Sequence, residues 1–171
     1  MFRNASRSLT TSNEVYEYAL SLLDRREHGE KELVQKLRRR CSSSELIRET
    51  VAKLKEYDLL NEERYARRVF ESWRAKKVYG RLHLQAELIK KQVSEEYVPI
   101  ILAMLSEDEE SWRVQAAYRQ IAGRHDKKYD CTTEKGVAAL ARYFSARGFG
   151  PSMIRIGLAL AKEDARDALQ E

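Results

Sequence analysis

Three histidines, two cysteines, a run of serines and a dense set of arginines and lysines are the side chains here that could do chemistry. His28, His83 and His125 fall at no metal-ligating spacing, among themselves or with the cysteines. Cys41 and Cys131 form no CxxC pair and read as free thiols in a reducing compartment. Ser42, Ser43 and Ser44 have no neighbouring base to activate a nucleophile, and they suit a helix cap. There is no glycine-rich phosphate loop and no GK[ST]. Carboxylates abound, but none is singled out as an acid/base pair. No catalysis, cofactor or metal is expected. His28 is placed in a solvated helix end, and His83 toward a basic stretch.

The cations are the stronger signal. Lys and Arg total 32 against 27 Asp and Glu, for a net charge of +5. Between Arg64 and Lys91 nine basic residues face only Glu71 and Glu87. A local excess of this kind suits phosphate or an acidic protein surface. Lys36, Arg38, Arg39 and Arg40 close a helix, where cations complement the helix dipole. Three consecutive arginines exceed what that requires. The candidate contact residues are Arg25, Arg26, Lys36, Arg38, Arg39 and Arg40, then Arg67, Arg68, Arg74, Lys76, Lys77, Arg81, Lys90 and Lys91. Arg142, Arg147 and Arg155 are secondary candidates.

Those cations need a scaffold, and its signature is a repeated spacing. An alanine with an apolar residue four positions on, then a second apolar pair four apart, recurs three times. The sets are Ala19/Leu23 with Leu33/Leu37, Ala66/Phe70 with Leu84/Leu88, and Ala117/Ile121 with Leu140/Phe144. Only seven glycines and two prolines interrupt a chain rich in helix formers. The pattern predicts an all-α fold of three three-helix repeats stacked into an elongated body, which presents a surface more readily than a pocket. The expected boundaries are a disordered segment at 1–13 and repeats at 14–60, 61–105 and 106–171. The polar start lacks the apolar core of a signal peptide. The longest apolar run, Val98 to Leu105, is too short to span a bilayer, which takes roughly 20 residues. A cytoplasmic protein away from membranes is expected.

Within the repeats, Asn13 is expected to cap the first helix and Ser94 the sixth. Leu59 and Leu60 are both expected to pack at the first junction. Leu82, Leu84, Leu88 and Ile89 should drive the fifth helix inward. Pro99 implies a shifted start or a kink in the sixth. Trp112, Val114, Ala117, Tyr118 and Ile121 form the stripe of the seventh. Gly148 fits a left-handed cap, and Pro151 the first position of the ninth helix.

Three motifs, in order, resemble the family of the regulatory protein RecX. They are Leu22-Leu23-Asp24-Arg25-Arg26-Glu27-His28-Gly29-Glu30-Lys31-Glu32-Leu33 with Lys36-Leu37, then Leu59-Leu60-Asn61-Glu62-Glu63-Arg64-Tyr65-Ala66, and Ala146-Arg147-Gly148-Phe149. The match runs over about residues 14 to 162. The family commonly has Asp where Asn61 stands, Gly-Pro where Gly80-Arg81 stands, and Gly near Gln92. Arg81 therefore adds a positive charge beside the basic stretch. The resemblance implies a curved array that binds the RecA filament on DNA. It would limit filament growth, strand exchange, ATP hydrolysis and coprotease activity, restraining recombination and the SOS response.

Two other readings compete. Helices two–three and five–six could pass as helix-turn-helix pairs of a direct DNA-binding protein. No dimerisation heptad duplicates a recognition helix, so a monomer with non-specific DNA contact is expected instead. A small helical enzyme or accessory subunit is the third reading.

Overall fold

The computed structural model describes residues 8–122 and 127–167, and of Lys127 only the backbone. Among them are nine α-helices and no strand. These are α1 (Ser12–Arg25), α2 (Glu30–Arg38), α3 (Ser44–Glu56), α4 (Glu62–Arg74), α5 (Arg81–Lys90), α6 (Tyr97–Ala103), α7 (Glu107–Ala122), α8 (Glu134–Ala146) and α9 (Pro151–Asp167), with a 3-10 turn at Lys127–Tyr129. The chain divides into two compact units. The first takes in Met1–Val69 and Ile89–Val98, the second Phe70–Leu88 and Pro99–Glu171.

The repeated spacing marks buried positions. Every one of the twelve residues is buried except Leu23, which is half-buried. In the first unit Val15, Ala19, Leu22, Leu33, Leu37, Cys41, Ile47, Val51, Leu54 and Leu60 form one core. In the second, Val114, Ala117, Ile121, Leu140, Tyr143, Phe144, Phe149, Met153 and Ala161 form another. Alanine recurs because close-approaching helices leave no volume for a larger side chain.

Several expectations are corrected. Thr11, not Asn13, caps α1. Its hydroxyl accepts the Glu14 N–H at 3.3 Å while the Glu14 carboxylate accepts the Thr11 N–H at 3.2 Å, a reciprocal capping box. The segment expected to be loose is tied down before that cap. The Leu9 N–H donates to the Arg40 carbonyl at 2.7 Å, and Leu9 packs on the first core. Residues 1–7 lie outside the described residues.

Leu60 is buried but Leu59 is exposed. On α5, Leu84 and Leu88 face inward while Leu82 and Ile89 are exposed, because a helix has only one inward stripe. α6 starts at Tyr97, which puts Pro99 in its first turn, where the missing N–H removes no intrahelical bond. Ser94 spends its hydroxyl on Glu62 at 3.0 Å.

Caps elsewhere follow the sequence. The Ser43 hydroxyl accepts the Leu46 N–H at 3.3 Å, and that of Thr133 accepts the Gly136 N–H at 3.1 Å. After α8 the Phe149 N–H returns to the Phe144 carbonyl at 3.2 Å, and Gly148 sits at φ +76. A Cβ there would lie 2.2 Å from the His83 backbone nitrogen. Gln92 adopts φ +58 without being glycine, directly after α5. Left-handed backbone costs a non-glycine residue roughly 1–2 kcal/mol. Gln92→Gly is therefore expected to raise stability by about 0.5–1 kcal/mol, after the added freedom of the unfolded chain is offset. Gly148→Ala should lower it by roughly 2 kcal/mol or more. Urea unfolding midpoints of the two variants against the parent measure both signs.

Candidate partner-binding surface

In the first unit, the first two sequence motifs meet. Gly29 precedes α2, and a Cβ on it would lie 2.7 Å from the Tyr65 ring, so only hydrogen fits. The Glu62 carboxylate accepts the Glu30 N–H at the start of α2 and the Ser94 hydroxyl. Arg64 donates to Glu27 at 2.6 Å and to Asp58 at 3.0 Å. Asn61 caps α4 by accepting the Arg64 N–H at 2.8 Å. Its amide donates to Asp58 at 2.7 Å, a bond an aspartate could not give.

His28 is buried at 2% exposure, not solvated. Its Nδ1 lies 2.9 Å from the Arg26 carbonyl and its Nε2 2.7 Å from the Lys36 ammonium. A carbonyl only accepts and an ammonium only donates, so the ring is neutral with its proton on Nδ1. Burial lowers its pKa, opposed by the Arg26 carbonyl and reinforced by the charges of Arg26 and Lys36. Glu32 receives Arg26 in a two-pronged pair at 2.5 and 3.1 Å and Lys36 at 3.1 Å. Burial pushes the Glu32 carboxyl up, but Arg26 and Lys36 outweigh it and hold it at about 2.

The second unit has its own network. The Gly80 and Leu82 N–H groups donate to the carbonyls of Arg147 and Gly148 at 3.0 and 2.9 Å. Those bonds seat the third motif on the start of α5. Arg81 gives its backbone N–H to Glu110 at 2.8 Å and its guanidinium to the Leu102 carbonyl at 2.6 Å and that of Leu105. Its charge is thus consumed at the end of α6 instead of reinforcing the basic stretch. A proline in its place would have no N–H for Glu110. His83 accepts the Trp73 indole N–H at 3.0 Å, and its ring lies tilted against Tyr79 with centroids 4.0 Å apart. His125 lies outside the described residues.

Arg113 is the functional-looking residue that sequence reading missed. It is 1% exposed, stands 4.2 Å over the Trp73 ring, and donates to the Arg74 carbonyl at 2.8 Å and to Glu109. The neighbouring Trp112, expected inside, is 45% exposed. An arginine four residues after Glu109 on the apolar edge of α7 was the available signal, outranked by the hydrophobicity of tryptophan.

Ion pairs sort the candidate cations. Of the nine between Arg64 and Lys91, five are paired: Arg64 as above, Arg67 with Glu63, Arg74 with Glu109, Lys76 with Glu87, and Arg81 with Glu110. Arg26 and Lys36 share Glu32. Arg40 lies 4.7 Å over Tyr18, and Arg147 3.7 Å over Tyr143. Exposed and without an ion-pair partner among the described residues are Arg25, Arg38, Arg39, Arg68, Lys90 and Lys91 in the first unit. Lys77, Arg142 and Arg155 are their counterparts in the second. Among the described residues no cluster of His, Cys, Asp or Glu is arranged to hold a metal, and no helix is long and apolar enough to cross a membrane.

Comparison with known proteins bears on what this framework is. Residues 16–54 match the family model described as RecX, first three-helix domain. A protein of Pseudomonas fluorescens named "Regulatory protein RecX" is 32% identical over 136 residues, spanning 80% of this chain and 84% of that one. The chain belongs to the RecX family. A "Regulatory protein RecX" of Caldanaerobacter subterraneus is 33% identical over 138 residues, spanning 81% of this chain and 66% of its own. The crystal structure of RecX from Lactobacillus salivarius shares the fold at a TM-score of 0.77 and 20% identity, covering 88% of this chain and 96% of that one. A second RecX crystal structure aligns at 0.73. The fold class is thus that of the three-helix-repeat RecX proteins, and the motifs that resemble the family are the ones that lock its helices together.

The neutral, buried His28 makes stability depend on pH. Its folded pKa lies below the unfolded 6.5, so its contribution is complete above pH 6.5 and declines as pH falls below it. That of Glu32 is complete above about pH 4.5 and is lost toward about pH 2. Thermal unfolding should therefore show a melting temperature that drops between pH 7 and 5. In His28→Gln that drop should be shallower, from a lower starting value. Parallel profiles for the two proteins would refute the assignment.

Proposed function

We propose that this chain is a non-enzymatic regulator that binds the RecA recombinase filament on DNA and restrains its activities. Those are strand exchange, ATP hydrolysis and coprotease function, and through them recombination and the SOS response. The observation that supports the reading is family membership over four-fifths of the chain. Relatives bearing that name are called regulatory proteins. The proposal includes a cytoplasmic monomer, with the triplets α1–α3, α4–α6 and α7–α9 acting as repeats at 14–60, 61–105 and 106–171.

Contact falls to the exposed cations that have no ion-pair partner among the described residues. Arg25, Arg38, Arg39, Arg68, Lys90 and Lys91 in the first unit, with Lys77, Arg142 and Arg155 in the second, keep their charge for a partner. Arg26, Lys36, Arg67, Arg74 and Lys76 are already neutralised and would have to exchange one carboxylate for another. That exchange gains little at an exposed pair, worth roughly 0–1 kcal/mol. Occupying the filament, the protein would block subunit addition or entry of a second strand. Phosphate contacts within the same footprint would give non-specific DNA affinity that falls steeply with salt.

Titrating the protein into a RecA ATPase assay on single-stranded DNA tests this. Inhibition is expected at substoichiometric ratios. No effect at any ratio, alongside tight binding to bare DNA, would favour direct DNA binding instead. Reversing Arg68, Lys77, Lys90 and Lys91 to glutamate together should weaken inhibition at least tenfold and flatten its salt dependence. Reversing Arg81 should act mainly through stability. Unchanged inhibition in the quadruple variant would move the contact face elsewhere.

A further inference from the structure

The longest apolar run of the chain, Val98 to Leu105, makes up most of α6, and no charged residue stands between Tyr97 and Leu105. A helix that is apolar on every side belongs in an interior on every side. α6 is buried on one side only. Ile101 and Leu105 are 0% and 1% exposed, while Pro99, Ile100, Ala103 and Met104 face solvent, Ile100 at 49% and Met104 at 38%. Residues spaced at i, i+1, i+4 and i+5 make one continuous face of a helix. A contiguous apolar face rimmed by polar groups marks an interaction site. Arg81 holds this one in place, since its guanidinium closes the Leu102 and Leu105 carbonyls at the end of α6. A face held ready lowers the ordering cost of binding.

The rim narrows what can cover it. Glu95 and Glu96 precede α6 in the chain, and Glu107 and Asp108 follow it. All four are exposed and have no ion-pair partner among the described residues. The helix itself carries no cation, and Arg81 beside its end is spent on Glu110. A second copy packed α6 against α6 would set acid against acid whichever way the two helices ran. DNA or an anionic lipid surface would meet the same carboxylates with nothing on the face to attract it. The complement is an apolar protein segment with cations at both ends.

We propose that the exposed face of α6 docks an apolar segment of a partner protein that is flanked by lysine or arginine. Ile100 and Met104 are the anchors, losing their water-exposed surface to the partner. The carboxylates before and after the helix select the partner by its flanking charge. None of the cations assigned to the filament takes part, so this second surface stands apart from the regulator reading.

The experiment measures anisotropy of two fluorescein-labelled helical peptides with the full chain at low salt. Both have a centre of leucine and alanine; one carries lysine pairs at its ends and the other glutamate pairs. The net charge of +5 favours the glutamate peptide in general, so a preference for the lysine peptide has to arise at a local acidic rim. The parent should prefer the lysine peptide roughly tenfold, less so as salt rises. Ile100→Ser with Met104→Ser should weaken its binding roughly tenfold while the helical circular dichroism is kept. Changing Glu95, Glu96, Glu107 and Asp108 together to lysine should invert the preference, which a loss of stability alone would not do. The proposal is overturned if the parent binds neither peptide at millimolar concentration, binds both alike, or binds no better than the serine variant. Self-association of the parent that the serine variant loses would overturn it in favour of a second copy. Binding to phosphatidylglycerol vesicles lost in that variant would overturn it in favour of a lipid surface. None of these results bears on ATPase inhibition, whose absence would count against the regulator reading alone.

Discussion

The carboxylate of Glu62 is the constraint on which the first unit depends. It takes the opening N–H of α2 on one oxygen and the Ser94 hydroxyl on the other. A carboxylate at a helix start is favoured by the helix dipole and satisfies a backbone donor that would otherwise lack a partner. α4 is thereby fixed to α2, and Tyr65, one turn along from Glu62, can press on the bare Cα of Gly29. The two longest family motifs are thus two halves of one joint. Losing Glu62 would free a part-buried donor and loosen the Ser94 turn at once.

A second principle runs through both units: a few carboxylates each gather cations of the protein itself. Glu32 gathers Arg26 and Lys36, Glu109 gathers Arg74 and Arg113, and Glu110 takes Arg81. Arg74 with Glu109 and Arg81 with Glu110 join residues 35 and 29 positions apart, so these pairs position helices as much as they stabilise them. Arg113 shows the extreme case, enclosed by the Trp73 face, a carbonyl and a carboxylate. Planarity lets the guanidinium lie on the indole face while its fork reaches the carbonyl and the carboxylate, although Nη1 is left without a partner among the described residues. What remains exposed and without an ion-pair partner among the described residues is a smaller set of cations than the composition suggests, and that set is the one left to meet a partner.

Helix number, most caps and the buried stripe were legible in the sequence because they obey local rules. Ser43, Thr133, Gly148 and Pro151 all stand where turn and cap chemistry places them. The alanine-and-leucine spacing found the core because a helix repeats every 3.6 residues whatever it packs against. The misreadings have a common source. Trp112, Leu82 and Ile89 look inward on hydrophobicity alone, yet each lies off the packed stripe. His28 looks solvated in the sequence, yet it is buried and its two ring nitrogens meet the Arg26 carbonyl and the Lys36 ammonium.

By itself the sequence determined the family, the all-helical class and the positions that make the cores, since periodicity and ordered motifs carry that information locally. It also counted the cations. Tertiary structure alone decided which of them are spent. Whether Arg81 faces a partner or the carbonyls at the end of α6 depends on residues 21 and 24 positions away. The same holds for Arg74 with Glu109. Electrostatic partners are chosen by distance in space, and Coulomb attraction over a few ångströms has no signature in a one-dimensional count of charge.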